Sequence, residues 1–293
     1  MKTKLLVIGL ALLALSTLNS QLSTVFAQGS LTPPGLPAPT MKSADEIYAK
    51  LDPRTAVNAV NTPGNASYLF IIRQPGSYYL TTNIFGVSYQ SGISINTNNV
   101  MLDLNGFALQ GVSGGTTANG ITILNFAQTN INITVRNGTI SSWVNDGVHD
   151  GTEGSSANLV FERLNVSACN RGIEMKGAGV VRNCNCQNNA IGISVIFGSE
   201  VIGNTCIGNG TGISINGDDN RIEDNHVVAS SSAGISVPSE SYYDNIIIKN
   251  SVSGNGANNY SGAGFSSNGN VVGPFITAEG TITSSNPWAN FSF

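Results

Sequence analysis

The chain has 293 residues, 41% hydrophobic and only 10% charged, with a formal net charge of −4. Apolar content this high, arranged in regular alternation, excludes an intrinsically disordered chain, and the acidic balance argues against nucleic acid as a partner. The 34 glycines fit a backbone that turns often and packs closely on itself.

Residues 1–27 read as a signal peptide. Lys2 and Lys4 give the positive start, Leu5 to Leu15 the apolar run, and Val25-Phe26-Ala27 the cleavage site. The run is shorter than the roughly 20 residues a membrane helix needs, so no stable span is expected after cleavage. The mature chain is then secreted, periplasmic or at the cell surface. Residues 28–60 form a tether and a cap. Gly29 to Thr40 is Pro-rich and extended. Ser43-Ala-Asp-Glu46 is a capping box that starts a short helix, which ends before Asp52-Pro53. Its Ile47 and Leu51 are placed to seal the open N-terminal end of the repeat region. Residues 68–82 then read as two strands around a Pro75-Gly76 turn.

From residue 92 the sequence repeats. Gly followed by Ile or Val recurs at Gly92, Gly120, Gly147, Gly172, Gly192, Gly212 and Gly234, in steps of 28, 27, 25, 20, 20 and 22 residues. A fixed period of this size means stacked units that share one core. Each unit opens with a short strand such as Gly192-Ile-Ser-Val195, in which apolar and polar residues alternate. A second apolar run comes next, then an Asn: Asn105, Asn137, Asn165, Asn183, Asn204, Asn225 and Asn250. Asn suits a left-handed corner, and its amide can bond to the same amide one rung away. At Asn183-Cys184 either residue can hold the ladder position. The β-branched, Gly- and Asn-rich composition selects strands over helical repeats. Residues 61–275 are therefore expected to be a single-stranded parallel β-helix of about eight coils, roughly 35–40 Å long at one rung per strand spacing. Residues 276–293 form a C-terminal cap, with Trp288, Phe291 and Phe293 as a lid.

Strand alternation places one residue of each Gly-Ile strand outward. That column runs Ser94, Thr122, His149, Glu174, Ser194, Ser214, Ser236, and the next outward position carries Asn96, Lys176 and Asn216 among others. Most of it is hydroxylated and suits hydrogen bonding to sugar hydroxyls, so Ser94, Thr122, Ser194, Ser214 and Asn216 are candidate binding residues. Its middle is charged. His149 and Glu174 fall on adjacent rungs about 5 Å apart, with Lys176 beside them and Asp146, Asp150 and Glu153 close in sequence. A carboxylate beside a His can hold it as a general base, and Lys176 can meet an acidic sugar. The competing reading is cross-strand salt pairing on an exposed sheet.

Asp218-Asp219 has the acid pair of glycoside hydrolysis, but its place after Gly217 also reads as a turn. Arg136, Arg171, Arg182 and Arg221 lie at different corners and define no basic patch. Cys186 and Cys206, each six residues before a repeat glycine, should stack on adjacent rungs, as a disulfide or as buried thiols. Cys184-x-Cys186 is too closely spaced for a metal knot. No metal site and no cofactor are expected, and nothing in the sequence indicates Ca2+.

The segments Tyr68 to Leu80, Val100 to Phe107 and Asn286-Pro-Trp-Ala-Asn290 resemble secreted bacterial right-handed parallel β-helix repeat proteins of the pectin-lyase-like superfamily. The resemblance covers residues 40–293. It implies a right-handed all-β coil with a short N-terminal capping helix and a polysaccharide partner. It carries no catalytic residue over: the Gly-His-Gly and Arg-Ile-Lys signatures of polygalacturonases are absent, and so is the pectate-lyase calcium cluster. Two functions remain. One is a secreted protein that binds polysaccharide along the Gly-Ile face, with lyase or hydrolase chemistry from His149 as base, Glu174 orienting it and Lys176 meeting substrate charge. The other is a noncatalytic envelope, cell-surface or adhesion protein. The sequence leaves open whether the chain is an enzyme.

Overall fold

A glycine, an apolar pair and a corner recur because each turn of the backbone solves the same packing problem. The computed structural model describes residues 43, 53–112, 118–124, 131–151, 156–266, 269–277 and 284–293. The signal peptide, the Pro-rich tether and the capping helix lie outside the described residues. Arg54–Phe293 forms one compact unit and Met1–Pro53 another. The former is a parallel β-helix of about eight turns. No helix among the described residues is long and apolar enough to cross a membrane.

The Gly-Ile strands make one nine-stranded parallel sheet, running from Tyr68–Ile72 through Asp146–Asp150 and Arg171–Met175 to Asn258–Ser261. The remaining strands join in one 18-stranded sheet that folds over two further faces. They join because Ile131–Ser141 and Ala157–Ser167 run across both faces. Each bends at a left-handed residue, Asn137 (φ 58°) and Arg163 (φ 52°). We call these the second and third faces.

The interior is a set of like columns. Ile93, Ile121, Val148, Ile173, Ile193, Ile213 and Ile235 stand in register along the Gly-Ile face, each fully buried. Burial of each such side chain stabilises by about 1.5–3 kcal/mol. Beside them the glycines form a column of their own. A Cβ on Gly120 would lie 2.6 Å from the carbonyl oxygen of Gly147, and one on Gly147 would lie 2.6 Å from that of Gly172. Successive backbones approach there too closely for any other residue.

The corners differ from the sequence reading in a specific way. Left-handed residues form a column at the corner after the second face: Asn105, Asn137, Arg163, Asn183, Gly203, Asp224 and Lys249, all at φ 52–64°. The buried amide ladder begins one residue later. It runs Cys184, Asn204, Asn225, Asn250, Asn290, and each member's backbone N–H donates to the next side-chain oxygen at 2.9–3.0 Å. The Asn183-Cys184 ambiguity therefore resolves to Cys184. Asn105, Asn137 and Asn183 are corner residues, and Asn165 pairs with Asn185 on the third face. The sequence missed two further ladders, at the other corners. One runs Cys169, Asn189, Asn209. The other runs Ser199, Asn220, Asn245, Asn270.

All four cysteines are buried thiols. Cys186 and Cys206 stack in register as expected, and burial pushes the Cys184 thiol up to about 12. At the C-terminal end Asn290–Ser292 adds a strand beside both Ser251–Ser253 and Phe275–Ile276. Tyr260, Phe265 and Phe275 cluster with ring centres 4.4–6.3 Å apart. Trp288 and Phe293 stay exposed.

The two Asn columns should respond oppositely to substitution. Asn225 donates to Val201 O and Asn250 Oδ1 and accepts from the backbone and side chain of Asn204. Asn225→Ala strands these buried groups and should cost on the order of 3 kcal/mol in denaturant unfolding. Asn183→Gly, in the left-handed column, should stay within about 1 kcal/mol of wild type. Equal losses at both positions would contradict the assignment of the two columns.

Candidate functional site

The outward column predicted for the Gly-Ile face exists. Ser94, Thr122, His149, Glu174, Ser194, Ser214 and Ser236 pair rung by rung. Most of its hydroxyls are less available than alternation implied. Ser94, Thr122, Ser194 and Ser214 are buried. Ser214 Oγ donates to Asn216 Oδ1, and Asn216 Nδ2 donates to Ser194 Oγ, both at 3.1 Å. Asn119 Nδ2 donates to Thr122 Oγ1. Small side chains in a ladder satisfy one another before they meet solvent.

In the middle of this face two rungs are charged. Strand pairing sets Asp146 beside Arg171 and His149 beside Glu174. His149 Nδ1 lies 2.7 Å from Asp146 Oδ2 and 2.7 Å from Glu174 Oε2. One ring proton cannot serve two acceptors well, and it is aligned on Asp146. Glu174 Oε2 is left buried without an aligned donor. Arg171 closes the group: its Nε and Nη2 donate to the two Asp146 oxygens at 2.9 Å, and its Nη1 lies 2.6 Å from Glu174 Oε1. Asp146 and Glu174 side chains are 0% and 4% exposed, while His149 and Arg171 reach the surface at 21% and 30%. Two carboxylates thus lie beneath two cationic side chains.

The electrostatics follow from that layering. Burial works against charge on Asp146, His149 and Arg171, but the ion pairing is stronger. His149 is carried up to about 9 against its burial by the hydrogen bonds and charges of Asp146 and Glu174. Asp146 is held below the usual carboxylate range, against its burial, by His149 and Arg171. An imidazole with a pKa near 9 is protonated at neutral pH, so it rests as an acid. Among the described residues its Nε2 has no partner, and a proton there is free to be donated.

Lys176 stands two residues beyond Glu174, where its backbone N–H donates to Asp150 Oδ2. Asp150 is fully buried and also takes the Gly177 N–H and the Ser156 hydroxyl. It anchors the neighbouring backbone, and Glu153 lies outside the described residues. Asp218 and Asp219 form a turn: Asp219 is left-handed (φ 58°), and Asp218 Oδ1 accepts the Tyr243 N–H. Arg136 and Arg182 join a column on the second face in which Asp103, Arg136, Glu162 and Arg182 alternate in sign. Arg171 is the residue the sequence reading missed. Its signal was present, because it precedes Gly172 as Asp146 precedes Gly147, and opposite charges therefore meet on adjacent rungs.

Asp146, His149 and Glu174 offer ligand atoms within 4.8 Å of one another, a spacing that can hold a metal ion. One imidazole with two carboxylates suits a transition metal better than Ca2+. Arg171 already supplies the positive charge that such an ion would bring, and the Nδ1 proton occupies the nitrogen lone pair.

No family model matches the chain, and no curated protein matches it. Solved structures do. The A-module of the mannuronan C-5 epimerase AlgE4 of Azotobacter vinelandii is 16% identical with a TM-score of 0.47, over 64% of this chain and 65% of that one. The enzymatically active domain of tailspike protein 2 of bacteriophage CBA120 is 12% identical at 0.42, over 81% of this chain and 46% of that one. A point mutant of the periplasmic alginate epimerase AlgG is 16% identical at 0.38, over 73% and 66%. The chain spans less than two thirds of each. Identities this low bring no activity with them.

The buried pairing makes stability depend on pH. The folded pKa of His149, about 9, lies above its unfolded value of about 6.5. Its contribution, on the order of 3 kcal/mol, is therefore fully present below pH 6.5 and lost as pH rises through 9. His149→Gln should flatten the stability profile across that window, and Asp146→Asn should lower the titration midpoint read from the His149 ring proton by NMR. A wild-type midpoint at or below 6.5 would contradict the pairing.

Proposed function

We propose that the chain binds polysaccharide along the Gly-Ile face and acts on it at the Asp146–His149–Arg171–Glu174 group. The observation that carries this reading is the buried charge itself. Neighbouring rungs carry Thr122 and Ser194 where His149 and Glu174 stand, and Ile191 where Arg171 stands, so the stacking does not require charged side chains at these positions. Burying ions is costly, and perturbed groups of this kind concentrate at functional sites.

The chemistry that fits is lyase- or hydrolase-like. Protonated His149 donates its proton to the departing glycosidic oxygen as the C–O bond breaks; water adds to the sugar carbon in hydrolysis, or the ring C5 proton is lost to leave a C4–C5 double bond in elimination, and the proton released in either case restores His149. Asp146 and Glu174 keep the ring oriented and charged, and Arg171 helps hold the Asp146 carboxyl below its usual range. Lys176, next along the strand, meets a carboxylate of the substrate. The polar residues flanking this centre, Ser94, Thr122, Ser194, Ser214 and Asn216, shape the path of the sugar chain.

One observation favours the second reading, a noncatalytic surface or envelope protein. The four charges balance, and the Ser194–Asn216–Ser214 bonds close the face on itself. A screen of plant and algal polysaccharides separates the two readings, with unsaturated products and new reducing ends as the readout. Cleavage by the wild type, reduced 100-fold or more in His149→Ala, is expected. Unchanged turnover in that variant would remove His149 from the chemistry, and no cleavage of any polymer would leave the structural reading.

A further inference from the structure

The third face carries an interior column of its own. It runs Ile84, Leu109, Ile140, Val166, Cys186, Cys206, Val227 and Val252 in register, and every member is buried. All the positions but two are aliphatic, so the stacking is met by branched hydrocarbon and does not require sulfur. The two exceptions stand on consecutive rungs.

The other cysteines have a different explanation. Cys184 and Cys169 head two of the amide ladders, where their backbone N–H groups donate to Asn204 Oδ1 and Asn189 Oδ1, both at 2.9 Å. Their thiols are engaged with the backbone. Cys169 Sγ donates to Ser167 O, and Cys184 Sγ to Phe161 O and Arg182 O. One rung on, Asn204 Nδ2 donates to Val181 O, the partner of Phe161 in register. At Cys184 a thiol thus takes the place of the ladder amide. The Cys186 thiol instead faces that of Cys206 and bonds to it. Adjacent rungs lie about 4.8 Å apart, inside the roughly 4.4–6.8 Å between Cα atoms that a disulfide spans.

We propose that Cys186 and Cys206 are joined by a disulfide while the chain folds, which closes one full turn of the coil into a covalent ring. One cysteine thiolate attacks a small-molecule disulfide, expels one thiolate and leaves a mixed disulfide. The other cysteine thiolate then attacks the protein sulfur of that bond, forms the S–S link and expels the second small thiolate. The two cysteines lose two electrons and two protons, and the small disulfide gains both as two thiols. The export expected from residues 1–27 brings the chain to a compartment where such oxidants are present.

The timing follows from the closed coil. Both side chains are 0% exposed. The bond to Cys206, together with burial, holds the Cys186 thiol well above its usual range. Thiolate is the reacting form, so in the finished coil neither oxidant nor reductant has a partner within reach. The pair keeps whichever state it had when the turn closed.

The full chain is unfolded in denaturant with reductant, then refolded either in reductant or in a mixture of oxidised and reduced glutathione. Thiols are alkylated under denaturing conditions and counted by mass spectrometry. Two of the four cysteines should resist alkylation after refolding with glutathione, and the intact mass should fall by two hydrogens. Cys184→Asn, which restores an amide at the ladder head, should still lose two thiols, whereas Cys186→Val should keep all of its thiols. Four free thiols in the wild type, or two lost in Cys186→Val, overturns the pairing. The wild-type mass decides the bond even where a variant fails to fold. The oxidised wild type should melt roughly 5–10 °C above the reduced one. Equal or lower melting overturns the fit of the bond to the coil. Chain folded in reductant and then moved to the same glutathione mixture should keep four free thiols, and loss of two there overturns closure during folding.

Discussion

Everything in this molecule depends on how closely one backbone turn lies on the next. Along the glycine column a carbonyl oxygen occupies the space a Cβ would need, and that contact sets the register of every coil. A slip of one residue would turn the buried Ile column outward and the polar column inward. The amide ladders at the three corners lock the same register from the side, since Asn204, Asn225 and Asn250 each bond to the next Asn one rung on through both backbone and side chain. With the corners fixed, residues far apart in sequence meet as neighbours, Asp103 and Arg136 across 33 positions and Asn250 and Asn290 across 40.

The charged group exploits that fixed register without contributing to it. Asp146 and Arg171 stand at the entry to their strands and His149 and Glu174 three residues on, so two rungs bring four ionised side chains into one contact. The carboxylates lie beneath and the cations above, and this pairing favours the charged forms of Asp146, His149 and Arg171 in spite of burial. The balance changes the meaning of His149. Read from the sequence it stands beside one carboxylate; in the structure it lies between two, which raise its pKa to about 9 against its burial.

The second face shows the same principle in another form. Its outward column alternates Asp103, Arg136, Glu162 and Arg182, each pairing across a rung, and becomes apolar where the C-terminal segment covers it. The coils are therefore alike inside and different outside. The interior has to repeat because it carries the stacking, whereas the outward positions are free to differ and hold whatever chemistry the protein performs.

Sequence alone determined the coil, its apolar columns, the order Ser94 to Ser236 on the Gly-Ile face and the meeting of His149 with Glu174. All of these follow from period and alternation, which are properties of a single strand repeated. Tertiary structure decided the rest. It moved the amide ladder one residue past Asn183, because a left-handed residue must come first to turn the corner. It brought Arg171 over both carboxylates, because the long side chain of the first strand residue reaches across the rung to Asp146 and along its own strand to Glu174. It tied Ser194, Ser214 and Asn216 to one another and left Trp288 in the open. Each of these depends on where a side chain reaches across rungs, and only the stacked neighbours set that distance.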